Sequence, residues 1–149
     1  MKKILRTDAT NTDFKALVAK LDADLAIRDG DEHAFYNQYN GIESIKYAVV
    51  FYEDGKAVAC GAIKRFDYAS AEVKRMYTTP ESRGKGLASQ LLAELTKWAK
   101  ELGYKRCILE TGIRQPEAIA LYKKNGFKII ENYGQYAGVE NSVCFEMSI

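Results

Sequence analysis

The hydrophobic residues of the chain follow a helical spacing in two long segments. In each segment they fall on one face of a predicted helix. The first face contains Phe14, Leu17, Val18, Leu21 and Leu25, and the second contains Leu87, Leu91, Leu92, Leu95, Trp98, Ala99 and Leu102. Asn11 or Thr12 is suited to cap the first helix, and Gly103 follows the second as a left-handed cap. Residues 28–32 are predicted to break the first helix before a short helix at 32–39.

Shorter apolar and β-branched runs predict strands between these helices. They lie at 2–7, 47–52, 56–66, 71–79, 106–111, 127–130 and 142–149. Asp54-Gly55 predicts a hairpin turn. Pro80 ends one strand because proline cannot donate to a sheet. Pro116 begins a further helix that Asn125-Gly126 ends.

The order of these elements predicts a mixed α+β fold in a single domain, 1–149. Its sheet is expected to be largely antiparallel. The segment from 71–79 through 87–102 to 106–111 is the exception, because it reads as a βαβ unit whose two strands run parallel. At 149 residues the chain is long enough to bury a substantial core.

One junction between strand and helix is suited to bind an anion. Arg83-Gly84-Lys85-Gly86 runs directly into the helix that begins near Leu87-Ala88. The first turn of a helix presents unpaired N–H groups, and glycines let the backbone approach a phosphate closely. Neither the P-loop nor the dinucleotide fingerprint fits. Leu87-Ala88 stands where the first needs Lys-Ser/Thr, and Ser89 stands where the second needs a third glycine.

The loop instead resembles the Arg/Gln-x-x-Gly-x-Gly/Ala pyrophosphate loop of the GCN5-related N-acetyltransferases (GNATs). Residues 72–77 resemble the fourth strand of that family, 109–111 its fifth strand and 118–127 its closing helix, turn and strand. The match covers about half of the chain, in the family's order.

The resemblance implies acetyl-CoA as co-substrate. Its pantetheine arm is then expected between the fourth and fifth strands, where it pairs with Met76, Tyr77 and Thr78. Its pyrophosphate is expected against Arg83, Gly84, Lys85, Gly86, Leu87 and Ala88. An asparagine of the family that contacts coenzyme A is replaced here by Gln115, which retains the amide on a longer side chain. The oxyanion is expected to meet a backbone N–H at or beside Met76.

Two residues match catalytic positions of the family. Glu72 corresponds to a glutamate that takes the proton of the amine, although an ion pair with Lys74 across the strand face is an equally simple interpretation. Tyr122 corresponds to a tyrosine that protonates the departing sulfur, although it could also be a core tyrosine. Glu110 is either a second base or a solvated strand end.

Polar segments could contact the acceptor. Residues 28–42 correspond to the acceptor side in the family, though they could also be a solvated surface. The polar and aromatic run at 132–138, with Asn141-Ser142, could close over a small polar molecule. Arg65, Lys74 and Arg75 could bind a carboxylate, but each is expected to be ordinary surface charge.

Composition and charge narrow the class of protein further. The net charge of +2 provides no basic stripe for nucleic acid. No apolar run predicts a signal peptide or a membrane span. Three cysteines in strand-like runs are expected to be buried free thiols of a cytoplasmic protein. The lone His33 gives no support for a cysteine nucleophile, and no metal-ligand spacing is visible.

Together these observations predict an acetyl-CoA-dependent N-acetyltransferase. It would transfer the acetyl group directly, through a ternary complex, to the primary amine of a small polar acceptor such as an amino acid. Two alternatives remain open, a protein or peptide N-acetyltransferase and a non-catalytic acyl-CoA-binding module. The acceptor's identity is not predicted, and a homodimer is left open.

Overall fold

The computed structural model describes residues 1–29 and 45–149. In these residues the strands are β1 (Lys2–Thr7), β2 (Tyr47–Glu53), β3 (Lys56–Arg65), β4 (Ser70–Thr78), β5 (Arg106–Gly112), β6 (Lys128–Ile130) and β7 (Ser142–Ser148). The α-helices are α1 (Thr12–Asp29), α2 (Leu87–Glu101) and α3 (Pro116–Lys124). The helix predicted at 32–39 and most of the polar stretch at 28–42 lie outside the described residues.

The seven strands form one sheet in the order β1-β2-β3-β4-β5-β7-β6. Every neighbouring pair is antiparallel except β4 and β5, which run parallel as the βαβ pattern predicts. Asp54-Gly55 forms the turn between β2 and β3, with both residues at positive φ. The predicted α+β fold is therefore confirmed.

The helices pack on opposite faces of the sheet. The buried face of α2 packs with residues such as Val49, Ile63 and Val73. Phe14, Leu17 and Val18 of α1 pack on the other face. The Asn11 side chain accepts a hydrogen bond from the Phe14 N–H at 2.8 Å, so Asn11 caps α1 as expected.

Element ends differ from the predictions by one or two residues, as is usual for helix termini. Helix α1 continues to Asp29, inside the predicted break, and α2 ends at Glu101. Leu102 is consequently 40% exposed instead of packed on the apolar face. Cys60, Cys107 and Cys144 are free and buried, as predicted.

Candidate active site

The two parallel strands separate part of the way along their length. Pairing between β4 and β5 covers Ser70↔Arg106, Ala71↔Cys107 and Glu72↔Ile108, and no further pair joins them among the described residues. Strand β4 nevertheless continues to Thr78. The β5-facing backbone groups of β4 beyond Glu72 therefore face a gap, which the sequence did not reveal.

The glycine loop lies beside this gap at the start of α2. Gly84 and Gly86 both have φ near +80°, a conformation that glycine adopts without strain. A Cβ built at either position would meet no atom within 4 Å, so both glycines border open space. The loop and the first turn of α2 line a groove of about 380 Å³ that continues along residues 76–78 of β4. Unpaired N–H groups at a helix N-terminus suit this groove to a phosphate group.

The two basic side chains of the loop point in different directions. Arg83 donates from Nε to the carbonyl of Thr78 at 2.9 Å, and its guanidinium carbon lies 5.7 Å from the Tyr77 ring centroid. It lines the groove. The Lys85 ammonium instead lies 3.7 Å from a Glu53 carboxylate oxygen, and Lys85 does not line the groove.

Tyr122 of α3 is buried where the groove meets a second, smaller cavity. Its ring packs against Phe127 and Phe145, with centroids 6.0 and 5.8 Å away. It lines both spaces, as do Met76 and Gln115. Burial, with a contribution from the negative charge of Glu110, raises the pKa of the Tyr122 phenol above its usual value. The phenol is therefore a proton donor throughout the neutral range.

Asn125 connects the end of α3 to the start of α2. Its side-chain nitrogen donates to the Ser89 hydroxyl at 3.1 Å and to the Leu121 carbonyl at 2.9 Å. The sequence predicted Asn125 only as part of a helix end. In the structure it holds α3, and with it Tyr122, against the helix that borders the groove.

The second cavity, of about 120 Å³, contains Glu72. Glu72 is 7% exposed, and its Oε2 accepts a hydrogen bond from the Tyr133 hydroxyl at 2.6 Å. Lys74 Nζ lies 3.8 Å from the other oxygen, so the ion pair of the alternative interpretation is present. Burial lowers the pKa of Lys74, opposed by the negative charge of Glu72, whereas burial and Glu72 raise the pKa of Tyr133.

Glu110 lines the same cavity from the end of β5. The Ser142 hydroxyl donates to it at 2.7 Å. Its negative charge partly offsets the lowering of the Lys74 pKa by burial, and it adds to the raising of the Tyr122 pKa by burial. Glu110 is therefore part of the cavity's charge arrangement and not merely a solvated strand end.

Two of the three predicted surface cations are not on the surface. The side chains of Lys74 and Arg75 are 8% and 3% exposed, and both residues line the smaller cavity. Arg65 is exposed, as predicted. Arg75 is buried because the β3–β4 register shifts between Cys60 and Ala62, and Arg75 occupies the extra position of β4 with φ 59°.

Further site residues come from segments distant in sequence. Tyr133 and Tyr136 belong to the loop predicted to cover an acceptor, but nothing local identified the contact of Tyr133 with Glu72. Leu21 of α1 lines both spaces and Asp24 lines the groove. Among the described residues, no three His, Cys, Asp or Glu side chains form a metal site. None of the helices described there is long and apolar enough to span a membrane.

The sheet topology and the gap beside the glycine loop are those of the acyl-CoA N-acyltransferase fold. A family model described as "Acetyltransferase (GNAT) family" matches residues 14–127, so the chain belongs to the GNAT acetyltransferase family. Over 88 residues it is 43% identical to the uncharacterized N-acetyltransferase YjgM of Escherichia coli K12, covering 57% of this chain and 52% of that protein. The chain spans about half the length of the curated relatives it matches.

Solved structures agree over nearly the whole chain. A Klebsiella pneumoniae protein described as an acyl-CoA N-acyltransferase superposes with a TM-score of 0.83 at 33% identity, covering 99% of this chain and 97% of that one. A GNAT family acetyltransferase from Elizabethkingia anophelis, solved with acetyl-CoA bound, has a TM-score of 0.73 at 19% identity, with coverage of 99% and 98%. The second likeness bears on the fold alone.

Proposed function

We propose that the protein is an acetyl-CoA-dependent N-acetyltransferase that acts on the primary amine of a small polar acceptor. One observation supports this most directly. The gap between β4 and β5 joins the glycine loop at one end and the Glu72 cavity at the other, with Tyr122 at the junction. Acetyl-CoA supplies an activated thioester carbonyl, and the Elizabethkingia neighbour was solved with that molecule.

The groove residues fit the parts of this co-substrate. The N–H groups of Gly84, Gly86 and Leu87, at or near the start of α2, would bind the pyrophosphate, with Arg83 adding positive charge. Lys85, whose ammonium lies near Glu53, would contribute only general positive charge. The β5-facing backbone groups of Met76, Tyr77 and Thr78 would pair with the amides of the pantetheine arm as a neighbouring strand does.

The acceptor is proposed to enter the Glu72 cavity. Glu72, directly or through water, would take one proton from the ammonium so that the neutral amine can attack the thioester carbonyl. A backbone N–H at the β4 bulge, at or beside Met76, would stabilise the charge that develops on the carbonyl oxygen.

Transfer forms a C–N bond and breaks the C–S bond. Tyr122 would give its proton to the departing thiolate. The attacking nitrogen loses a second proton as the amide forms, and this proton restores the phenol through solvent, while the first proton leaves Glu72 for solvent. The raised pKa of Tyr122 ensures that the phenol holds this proton at neutral pH. No covalent enzyme intermediate is needed, so both substrates are bound together.

The cavity's size and polarity favour a small acceptor over a protein segment. It measures about 120 Å³ and is lined by Glu72, Lys74, Arg75 and Glu110. Peptide grooves are more extended and largely apolar. A non-catalytic acyl-CoA-binding module is less well supported, because Glu72 and Tyr122 line the same cavity.

The test is release of coenzyme A thiol from acetyl-CoA with a panel of small amines. The proposal predicts amine-dependent release and a mass increase of one acetyl group on the acceptor. Tight acetyl-CoA binding without turnover of any amine would favour the binding module. Acetylation of proteins but of no small amine would favour the peptide alternative.

A further inference from the structure

Arg75 presents a buried guanidinium that the described residues satisfy only in part. Its side chain is 3% exposed, and Nη2 lies 2.8 Å from Oδ1 of Asp22 in α1. Nε and Nη1 are buried and have no hydrogen-bond partner in residues 1–29 and 45–149. Buried charged donors without partners are costly and rare, so such a group requires an explanation.

The bulge in β4 turns the Arg75 side chain toward α1. In a regular strand Arg75 would share a face with Val73, which packs toward α2. The extra residue places its side chain beside Asp22 of α1 instead, on the face that also holds Cys60 and Tyr77. Arg75 has φ 59°, which is strained for a residue with a side chain. Glycine would adopt this φ with less strain than arginine. The presence of arginine here therefore indicates that its guanidinium has a function.

The cavity already provides partners for its carboxylates. Glu72 accepts from Tyr133, and Glu110 accepts from Ser142. Arg75 lines the same cavity, and Nε and Nη1 of its side chain have no hydrogen-bond partner among the described residues. The group that would complete this arrangement is an anion on the acceptor, and a carboxylate matches a guanidinium in shape and charge.

We infer that the acceptor is an amine that also bears a carboxylate, such as an amino acid, and that Arg75 binds this carboxylate through Nε or Nη1. Arg75 is then the residue that selects the substrate class. Both nitrogens are buried, so the guanidinium must turn into the cavity to meet the carboxylate, and the contact then forms in a low-dielectric surrounding. This inference rests on the proposed acetyltransferase function.

The test compares each of a set of L-amino acids with its α-carboxamide as acceptor. The wild-type protein is expected to show a higher kcat/KM for the acid. In Arg75→Met this acid-to-amide ratio should fall about ten- to hundredfold, because a hydrogen bond to a charged group is lost. Comparing the ratio between the two proteins cancels the lower amine pKa of the amides. Arg65→Met, at an exposed arginine, is the matched control and should keep the wild-type ratio.

Acetyl-CoA affinity and the thermal unfolding midpoint establish that Arg75→Met is folded. If it is not, Arg75→Lys replaces it, because lysine keeps the charge but has a single nitrogen and should lower the ratio in the same direction. An unchanged ratio in a folded variant, or a wild-type protein that prefers the amides, would overturn the inference while leaving the acetyltransferase proposal intact. Thiol release only with amines that lack a carboxylate would also overturn the inference, whereas release with no amine at all would remove the proposed function.

Discussion

The Tyr133 hydroxyl donates a hydrogen bond to Glu72 Oε2 at 2.6 Å, across 61 positions of sequence. The Tyr133 ring is held by edge contacts with Phe66 and Tyr136, whose centroids lie 5.1 and 5.8 Å away. The loop that follows β6 is thereby connected to the carboxylate proposed as the catalytic base. Asn132 supports this loop by donating to the carbonyls of Val139 and Ser142.

Replacing this hydroxyl should reduce turnover more than cofactor affinity. In Tyr133→Phe the buried Glu72 loses its donor and its fixed orientation, so we expect kcat to fall about tenfold. The dissociation constant for acetyl-CoA should stay unchanged. Steady-state kinetics and calorimetry measure the two quantities. Tyr68→Phe, at a tyrosine that is 85% exposed, is the control. Wild-type turnover in Tyr133→Phe would show that the contact serves only the fold.

Substitution in the glycine loop should abolish cofactor binding. Gly86→Glu introduces a side chain and a negative charge at a position with φ +80°, beside the proposed pyrophosphate site. We expect calorimetry to show at least about a hundredfold loss of acetyl-CoA affinity. Gly103→Glu is the matched control, because Gly103 also has positive φ and open space but follows the far end of α2. Equal affinities in both folded variants would remove the loop from the site.

Removal of the Tyr122 hydroxyl should affect chemistry and not binding. Tyr122→Phe keeps the ring contacts with Phe127 and Phe145 but cannot protonate a thiolate, so kcat should fall about a hundredfold. The dissociation constant for acetyl-CoA should remain close to that of the wild type. Turnover equal to that of the wild type would identify Tyr122 as a core tyrosine.

The Tyr122 phenol also determines how kcat should depend on pH. Burial raises the pKa of the Tyr122 phenol above its usual value of 10.0, so the phenol stays protonated up to pH 10 and beyond. Loss of this proton should therefore cause no decline in kcat below pH 10. A wild-type decline with an apparent pKa below 10 that disappears in Tyr122→Phe would contradict the assignment.

Buried thiols should make the protein less stable in alkali. Burial raises the pKa of Cys107 from 9.0 to about 12. Between these values the folded protein keeps a proton that the unfolded chain loses, so the free energy of unfolding falls as pH rises. The contribution of the Cys107 thiol to the free energy of unfolding is intact below pH 9. Between pH 9 and about 12 it declines by about 1.4 kcal/mol per pH unit.

The measurement is chemical denaturation at several pH values between 8 and 10.5. Cys107→Ala should show a shallower decline than the wild type. The substitution lowers the stability of the protein at every pH. This does not affect the test, because only the slopes of the free energy of unfolding against pH are compared. Equal slopes would mean that the Cys107 thiol titrates normally in the folded protein.

The predictions that succeeded depended on local patterns. The helical spacing of residues 87–102, the Asp54-Gly55 turn and the parallel βαβ unit each follow from neighbouring residues, and the structure contains all three. The family was also predicted from local sequence, because its loop and flanking strands lie in one stretch. Burial of the three cysteines followed from the apolar runs that contain them.

Other features depend on tertiary structure and could not be predicted in this way. The bulge at Arg75 has no local signal, because a glycine would mark a left-handed position and an arginine does not. Burial of Lys74 and Arg75 was therefore missed. The contact between Tyr133 and Glu72 depends on how the loop after β6 folds back, and spacing in the sequence does not reveal it. The end of pairing between β4 and β5 was expected from the family resemblance alone.

The gap between β4 and β5 is proposed to bind the pantetheine arm while the glycine loop binds the pyrophosphate. Calorimetric titration of the protein with acetyl-CoA and, separately, with adenosine diphosphate tests this proposal most directly. We expect a micromolar dissociation constant for acetyl-CoA and binding at least about tenfold weaker for adenosine diphosphate, which lacks the arm. Absence of acetyl-CoA binding, or equal affinity for both molecules, would contradict it.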